Sequence, residues 1–259
     1  MIDLHSHVLP GLDDGAAELA DSLTMARDAV AAGIAVLAAT PHVRDDYPTT
    51  ANDMEEALAR VRAAVAEAGI ALDVRSGGEL ALDRLDRLDP TELARFGLAG
   101  NPRCLLLEFP YSGWPVDLAE RMFRLRASGI VPVLAHPERN PEVQARPERL
   151  VPVVQAGAMI QLTAASVDGR LGRRSRRAAF ALLAFDCAHL LASDAHSPSI
   201  RAVGLDAAAA AVGSDGLASW LTEGVPGAIV AGEPLPPRPA GPGRRLLSRL
   251  RARSQRGRV

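Results

Sequence analysis

Lysine is absent from this chain of 259 residues, so all 29 of its basic residues are arginine. This absence excludes a Walker-type phosphate loop, which needs a Gly-Lys pair, and any mechanism that uses a lysine Schiff base. Aromatic residues are scarce at 3%, although 48% of the residues are apolar. The chain is long enough for one substantial core, which Leu, Val, Ile and Ala must fill.

Long apolar runs and cysteines are also scarce. No run approaches the roughly 18 apolar residues of a membrane span, so none is expected. Asp3 and His5 interrupt the N-terminal region where a signal peptide would have its apolar segment, so no signal peptide is expected. The two cysteines, Cys104 and Cys187, stand inside apolar runs and indicate small buried side chains in a reducing compartment. These features predict a cytoplasmic protein.

Charge is distributed unevenly between a body and a C-terminal tail. Residues 1–233 hold 21 arginines and all 31 acidic residues, whereas residues 234–259 hold eight arginines, five prolines and no acid. We expect 1–233 to be the folded domain and 234–259 to be a disordered basic tail, with at most a short helix around Leu246, Leu247 and Leu250. Such a tail is either an inert terminus or is attracted to an anionic partner, such as a membrane surface.

Short apolar runs alternate with helical patterns along the body. Seven runs have the composition of strands: residues 2–5, 34–40, 70–75, 104–109, 130–135, 158–163 and 188–193. Helical periodicity occupies the gaps, at about residues 19–30, 54–65, 116–128, 147–156 and 174–185. This alternation predicts an α/β fold with a parallel sheet.

Side chains suited to metal binding stand near the ends of six of the seven runs. The candidate ligands are His5, His7, Asp14, His42, Glu79, Glu108, His136, Asp194 and His196. In a closed barrel all strand ends share one face, whereas an open sheet would spread them along an edge of about 30 Å. Convergence therefore favours a barrel. The sixth run offers only the poor ligands Gln161 and Thr163, and His189, near the start of its run, is expected to be structural.

Imidazole and carboxylate groups are the ligands expected for Zn²⁺, Mn²⁺ or Fe²⁺, and the lack of thiolate ligands disfavours a structural zinc site. Nine ligands are too many for one ion, so two or three ions that share a bridging carboxylate are predicted. Such clusters generate hydroxide near neutral pH and bind phosphoryl oxygens. The alternative is that these residues are surface loop residues or satisfied core histidines.

Six motifs carry a family resemblance. They are MIDLHSHVLPGLDDGA, ATPHV, GGEL, LLLEFP, LAHPERN and ASDAH, in this order between residue 1 and about residue 232. In order and spacing they resemble the polymerase-and-histidinol-phosphatase (PHP) superfamily, and within it the CpsB/YwqE-like group of capsule-type tyrosine-protein phosphatases. The resemblance implies a single-domain distorted (β/α)7 barrel, which agrees with the seven predicted strands.

The resemblance also implies three metal positions, with manganese as the usual ion and Zn²⁺, Fe²⁺ or Mg²⁺ as alternatives. The first would use His5, His7, Glu79 and Asp194; the second Glu79, Glu108 and His136; the third Asp14, His42 and His196. Either Asp13 or Asp14 could serve by local chemistry, and Asp14 is chosen on the resemblance.

Two arginines follow metal-ligand motifs, Arg139 after His136 and Arg201 after His196. Each is either a solvated surface charge or a fork that holds two phosphoryl oxygens, and the resemblance favours the second role. Aromatic and apolar residues that could line the mouth of the site are Tyr47, Phe109, Pro110, Tyr111 and Trp114, although Phe109 could equally be a core residue.

The predicted reaction is hydrolysis of phosphotyrosine by a metal-bound hydroxide. A cysteine-dependent mechanism is excluded because it needs Arg six positions after the nucleophile, where Cys104 has Pro110 and Cys187 has Ser193. No Gly-x-Ser-x-Gly elbow indicates a serine hydrolase. Two alternatives stay open: a small-molecule phosphoesterase similar to histidinol phosphatase, and a weakly catalytic regulatory partner of a membrane kinase.

The resemblance implies a partner and a process as well. The substrate would be a membrane-associated tyrosine autokinase of polysaccharide export, and the process control of capsule or exopolysaccharide synthesis. No nucleic-acid partner is expected, and the sequence leaves the oligomeric state open.

Overall fold

A computed structural model describes residues 1–198 and 202–239, in which strands alternate with helices. The strands of these residues are β1 Ile2–Ser6, β2 Val36–Ala39, β3 His42–Val43, β4 Asp73–Arg75, β5 Glu79–Ala81, β6 Cys104–Glu108, β7 Val131–Ala135, β8 Met159–Thr163 and β9 Leu190–Ala192. The α-helices are α1 Leu19–Ala31, α2 Ala51–Glu67, α3 Pro90–Arg95, α4 Leu118–Ala127, α5 Pro141–Ala145, α6 Val151–Gln155, α7 Ala164–Val167, α8 Gly172–Ala184, α9 Asp206–Val212, α10 Asp215–Ser219 and α11 Val225–Ala231.

All the strand pairs are parallel, and they form two sheets. One sheet has the order β1-β2-β4 and the other the order β3-β5-β6-β7-β8-β9. An isolated parallel bridge between Ser6 and Ala195 links the end of β1 to the segment after β9. There the amide of His7 donates to the carbonyl of Ala195 at 2.8 Å, and the amide of Asp194 donates to the carbonyl of His5 at 2.9 Å. The first and last strand regions therefore lie side by side. The predicted α/β fold with parallel strands is confirmed.

Two short strands were not predicted. The second and third predicted runs, 34–40 and 70–75, hold β2 and β4; β3 follows β2 after Thr40 and Pro41, and β5 follows β4 after residues 76–78. Proline cannot donate a ladder hydrogen bond, and adjacent glycines weaken a strand interior, so the chain is interrupted at both places. His42 and Glu79 therefore follow their predicted strands, and each also begins one of the two additional strands, β3 and β5.

The predicted helices agree with the structure at four of the five positions, where α1, α2, α4 and α8 lie. The exception is residues 147–156, where a 3₁₀ turn, Pro147–Leu150, precedes the short helix α6. Pro152 has no amide to donate to the preceding turn, so the two segments do not form one continuous helix, and proline stands in the first turn of each, where it is tolerated. The start of α2 has a capping box, because Thr50 Oγ1 accepts from the amide of Asp53 while the Asp53 carboxylate accepts from the amide of Thr50.

Aliphatic residues fill the core, as the composition predicts. Strand β6 lies inside the larger sheet, and its central residues Leu105, Leu106 and Leu107 are fully buried. A strand that is covered on both faces reads as a continuous apolar run rather than an alternating one. The apolar run thus fixes β6 inside the molecule and leaves Glu108, its last residue, at the end where the polar side chains gather.

The two cysteines and His189 stand outside the candidate metal-ligand groups, as expected for residues with a structural role. Cys104 and Cys187 are buried free thiols, and burial raises their pKa values to about 12 and about 11. His189 immediately precedes β9, and its Nδ1 accepts a hydrogen bond from the amide of Ile160 at 3.1 Å. Burial lowers the pKa of His189 to about 4, so this side chain is a neutral acceptor.

The first six residues of the predicted tail lie against the body. The indole Nε1 of Trp220 donates to the carbonyl of Pro236 at 3.0 Å, and the guanidinium of Arg238 lies over the Trp220 ring and 3.2 Å from Asp186. The chain therefore continues to pack against the folded body beyond residue 233, through Pro236 and Arg238. The remainder of the tail prediction, including the helix around Leu246–Leu250, falls in residues 240–259, outside the described part. No helix of the described residues is long and apolar enough to cross a membrane.

Candidate metal centre

The structure brings all nine predicted ligands together. They form four overlapping groups, and within each group the ligand atoms lie within 4.8 Å of one another. The groups are His5–Glu79–His136, His5–His7–Asp194, His42–Glu79–Glu108 and His7–Asp14–His42–His196. These groups share members with the three sets that the family resemblance implies, but His42 also joins Glu79 and Glu108, and His7 also joins Asp14 and His196.

Glu79 lies at the centre of the cluster and is fully buried. Its Oε1 is 2.8 Å from His136 Nε2, while its Oε2 is 3.4 Å from His5 Nε2 and 2.9 Å from His42 Nδ1. Despite the short distance, Glu79 Oε2 and His42 Nδ1 are not aligned for a hydrogen bond, and neither has another hydrogen-bond partner. Buried polar atoms are rarely left unsatisfied, so these two have the character of ligands for a cation.

His5 and His7 converge on the same space. Their Nε2 atoms are 3.3 Å apart, and Asp194 Oδ1 is 3.3 Å from each of them. On the far side of each ring, His5 Nδ1 lies 3.0 Å from Gln161 Oε1 and His7 Nδ1 lies 2.7 Å from Asp13 Oδ2. Both outer partners accept hydrogen bonds, which fixes the proton on Nδ1 and directs the Nε2 lone pairs inward.

The two aspartates of the Asp13-Asp14 pair have different roles. Asp14 is half exposed, and its Oδ1 lies 3.5 Å from His42 Nε2 and 3.4 Å from His196 Nε2. Asp13 is turned away from this group; besides His7, it accepts from the amides of His42 and Gly15 at 2.9 Å. Of the two, Asp14 belongs to a candidate ligand group and Asp13 orients a neighbouring histidine.

Electrostatics inside the cluster call for added positive charge. Burial would raise the pKa of Glu79, but His5, His136 and His42 hold it well below its usual range. Burial and repulsion from ionised Glu79 raise the pKa of Glu108. Burial would lower the pKa of His7, but the charge of Asp13 raises it to about 10. Buried carboxylates this close together are stabilised by a shared cation.

Two of the candidate ligands have an unusual backbone conformation. His136 directly follows β7 with φ 38°, and Asp194 comes two residues after β9 with φ 53°. Left-handed backbone at residues other than glycine is costly and is concentrated at functional sites. At both positions the chain turns sharply after a strand, and this turn places the side chain of the residue in the cluster.

Arg139 lies beside the cluster. Its Nη1 donates to Asp194 Oδ2 at 2.5 Å, and its guanidinium lies 5.3 Å from the centre of the Tyr111 ring, which in turn stacks on His136. The side chain of Arg139 is 17% exposed, so it reaches the opening of the site, while the ion pair with Asp194 fixes the position of its guanidinium group. The second predicted arginine, Arg201, lies outside the described residues.

The aromatic residues predicted for the mouth divide into two kinds. Tyr47 stacks on His42, and Tyr111 stacks on His136, so these two rings flank the ligands. Phe109 is 1% exposed and meets Trp114 edge to face, so of the two positions open to it, the mouth and the core, it occupies the core. Phe109 directly follows the buried strand β6 and continues its packing into the core.

Three residues support the site in roles that the sequence did not predict: Asp13, Gln161 and Arg44. Arg44 donates to Glu108 Oε1 at 2.7 Å and lies over the Tyr47 ring. Arg139 is placed in the same way, since it donates to Asp194 and lies over the Tyr111 ring. Gln161 carries a signal, because it is a polar residue inside the otherwise apolar strand β8 and is fully buried. A residue of that kind needs a buried partner, which here is His5.

Comparisons with known proteins agree with this site. A family model described as "Capsular polysaccharide synthesis, CpsB/CapC" matches residues 1–216. Tyrosine-protein phosphatase YwqE of Bacillus subtilis is 34% identical over 202 residues, which cover 78% of this chain and 79% of YwqE. Tyrosine-protein phosphatase CpsB of Streptococcus agalactiae serotype III is 26% identical over 208 residues, covering 78% of this chain and 85% of CpsB.

Solved structures are similar as well. A crystal structure from the work on YwqE of Bacillus subtilis and CpsB of Streptococcus pneumoniae, called unique metal-dependent tyrosine phosphatases, matches with a TM-score of 0.82 and 31% identity. The match covers 93% of this chain and 99% of that chain. A β-aspartyl dipeptidase from Fervidobacterium islandicum matches with a TM-score of 0.52 and 12% identity, which is a likeness of fold alone.

Replacing Asp13 with asparagine tests its role as a support for His7. In Asp13→Asn one side-chain oxygen becomes an NH₂ donor, which faces N–H donors of His7, His42 or Gly15. We expect divalent-metal affinity to fall about 10- to 100-fold with the fold retained, as for other residues that orient a metal-binding histidine. Competition with a graded chelator, followed by metal analysis, measures the change. Asp28→Asn, on the exposed side of α1, is the control, and equal affinity in both variants would contradict the assigned role.

Proposed function

Since the chain belongs to the CpsB/CapC family of capsular polysaccharide synthesis proteins, we propose that it is a metal-dependent protein-tyrosine phosphatase. One observation carries this proposal: five histidines and four carboxylates converge beside the guanidinium of Arg139. This arrangement combines what phosphoryl transfer needs, which is a cation cluster and a fork for phosphoryl oxygens. The tyrosine-protein phosphatases similar to this chain support phosphotyrosine as the substrate group.

The proposal includes a closed barrel of the PHP type. If β2 with β3 and β4 with β5 each count as one interrupted strand, the nine strands reduce to seven in chain order. The bridge from Ser6 to Ala195 supports closure, since it joins the first of these seven to the segment after the last. A distorted (β/α)7 barrel also accounts for the convergence, because all strand ends would open onto one face.

We propose that two or three divalent cations occupy the cluster, with Mn²⁺ as the resident ion. Imidazole nitrogen and carboxylate oxygen donors without thiolate fit Mn²⁺, Fe²⁺ or Zn²⁺. Glu79 is the proposed bridge, since its two oxygens face different histidines. When bound, such ions supply an activated water and positive charge opposite the phosphoryl oxygens.

The chain's own residues bind and orient the substrate. Arg139 offers the fork for the phosphoryl oxygens, and its bond to Asp194 holds the guanidinium at the opening. Arg201 is proposed as the second fork on its position in the sequence. The rings of Tyr47 and Tyr111 flank the site and can contact the phenyl ring of phosphotyrosine. The phenol that leaves has a pKa near 10, so it needs less proton donation than an alkyl alcohol would.

Partners and location complete the proposal. The protein substrate is proposed to be a membrane-associated tyrosine autokinase, in line with the family's role in capsular polysaccharide synthesis. The proposed place of action is the cytoplasm, and the two buried free thiols, which suit a reducing compartment, support it. The basic residues after Pro239 are proposed to attract an anionic membrane surface near that substrate, because seven arginines occur there without an acid.

Substrate comparison tests the function, and Glu79 tests the mechanism. The Mn²⁺-loaded protein should hydrolyse p-nitrophenyl phosphate and a phosphotyrosyl peptide, and the peptide with a kcat/KM well above that for histidinol phosphate. Glu79→Gln should lose at least about tenfold in kcat, or about 1.4 kcal/mol of barrier, because an amide cannot bridge cations. Glu120→Gln on the exposed face of α4 is the control.

Other outcomes of that comparison would each support a different conclusion. Preference for histidinol phosphate would indicate a small-molecule phosphoesterase. Metal binding without turnover of any of the three substrates would indicate a regulatory partner of a kinase. A Glu79→Gln protein that binds metal and keeps wild-type kcat would contradict the bridging role.

Arg139 provides a separate test of phosphate binding. Arg139→Ala should cost about 2–4 kcal/mol of transition-state stabilisation, comparable to a lost oxyanion donor, so kcat/KM should fall by about 30- to 10³-fold. Arg201→Ala should act in the same direction. Metal analysis of each variant must show unchanged content, because Arg139 also contacts Asp194. Wild-type kcat/KM in both variants would make these residues surface charges; Arg124→Ala on α4 is the matched control.

Deletion of residues 240–259 tests the membrane contact. The cut leaves residues 234–239, since Pro236 and Arg238 contact Trp220 and belong to the packed chain. Sedimentation with vesicles that contain phosphatidylserine, at about 0.1 M salt, should recover the full chain and not the shortened one, because each arginine contributes about 1 kcal/mol near such a surface. Turnover of p-nitrophenyl phosphate should be equal in both. Equal sedimentation, or none for the full chain, would indicate an inert terminus.

A further inference from the structure

A basic cavity lies next to the loop that carries Arg139. It has a volume of about 550 Å³ and is lined by Pro141, Gln144 and Ala145 from α5 and by Arg173, Arg174 and Arg177 from α8. None of these residues belongs to the metal groups described above. The cavity is therefore separate from the proposed catalytic cluster and has a chemical character of its own, three guanidinium groups around one depression.

The wall of the cavity also supports the Arg139 loop. The side-chain amide of Gln144 donates to the carbonyls of Glu138 at 3.1 Å and Arg139 at 3.3 Å, and it contacts Ser175 of α8 at 3.3 Å. Pro141 follows Arg139 by two residues, so their Cα atoms are at most about 7.6 Å apart. The wall of the cavity and the loop that carries Arg139 are thus adjacent.

Three arginines of one helix line the cavity together. Some arginines elsewhere in the body form ion pairs, as Arg95 does with Glu55 at 2.6 Å and Arg121 with Asp117 at 2.8 Å. Among the described residues, no carboxylate lies within 4.0 Å of Arg173, Arg174 or Arg177. Residues 1–233 carry ten more acids than arginines, so a cluster of unneutralised guanidinium groups is contrary to the overall charge.

We propose that this cavity binds acidic side chains of the protein substrate that lie a few residues away from the phosphotyrosine. The proposal rests on the proposed phosphatase function and adds a sequence preference to it. An extended peptide spans about 3.3 Å per residue, so acids about three to six positions from the phosphotyrosine would reach the arginines. Guanidinium groups bind carboxylates through paired hydrogen bonds, which suits Asp and Glu side chains in a partly enclosed space.

The shape and composition of the cavity favour a peptide over a lipid surface. The arginines surround a depression, whereas attraction to a bilayer needs charges on a surface that can lie flat against the head groups. The large exposed apolar side chains of the described residues are Leu19, Val30, Tyr111, Val116, Phe123 and Leu235. None of them comes from α5 or α8, so the wall of the cavity supplies no large apolar residue that could insert into a membrane.

Two phosphotyrosyl peptides and two variants test the inference on the metal-loaded full-length protein. One peptide carries Glu at three to six positions on either side of the phosphotyrosine, and the other carries Gln at the same positions. For the wild type, KM for the Glu peptide should be about tenfold lower, a difference of about 1.4 kcal/mol. In Arg174→Gln/Arg177→Gln the two KM values should become equal. The kcat values and the turnover of p-nitrophenyl phosphate should not change.

The control is Arg27→Gln/Arg60→Gln, which removes the same charge from exposed positions of α1 and α2. It should keep the preference for the Glu peptide. A wild type that hydrolyses both peptides with equal KM, or a control that loses the preference as fully as the cavity variant, overturns the acidic docking site and leaves the phosphatase function intact. Loss of vesicle sedimentation in the cavity variant, with the peptide preference retained, would assign the arginines to a membrane instead. No turnover of either peptide or of p-nitrophenyl phosphate by the wild type would contradict the proposed function itself.

Discussion

The burial of Glu79 is the constraint on which the rest of the site depends. An ionised carboxylate without water needs compensating charge and hydrogen-bond donors, because its desolvation costs several kcal/mol. Here the compensation comes from histidines on three different strand regions, His5, His42 and His136. These side chains can meet only if the ends of β1 and β7 and the start of β3 lie at the same place. The burial of this one carboxylate therefore depends on the arrangement of the parallel strands. Divalent cations would complete this neutralisation.

Rigid positioning of the histidines is the second condition for such a cluster. The outer nitrogens of His5 and His7 meet Gln161 and Asp13, so the rings are fixed from outside while their inner nitrogens converge. His136 and Asp194 are held by left-handed backbone that would be unfavourable in isolation. Strain of this kind persists only where the surrounding structure enforces it, and the fully buried residues of β6 and β7 provide that surrounding core. The stability of the core thus supports the geometry of the site.

Much of this was predictable from the sequence because strand-end ligands and apolar runs are local signals. The run at 104–109 identifies β6, and the motif around His136 identifies a ligand at the end of β7. The short strands β3 and β5 were not predicted, because runs of two and three residues are too short to show a hydrophobic pattern of their own. Asp13 and Asp14 could not be separated, because their difference lies in which neighbour each meets across the fold. Gln161 was dismissed as a poor ligand, although a buried amide in a strand serves to orient one.

Selectivity for a protein substrate has to arise outside the cluster itself. Cations and an arginine fork recognise a phosphoryl group, and they do so whether it is attached to tyrosine or to a small alcohol. The rings of Tyr47 and Tyr111 can contact the leaving phenol, while the three arginines of α8 line a cavity that includes none of the candidate metal ligands. A phosphopeptide with acidic neighbours can use all three regions at once, whereas a small phosphate ester uses only the first. The binding energy that distinguishes the two is therefore located on the surface beside the Arg139 loop, where the otherwise acidic body presents unneutralised positive charge.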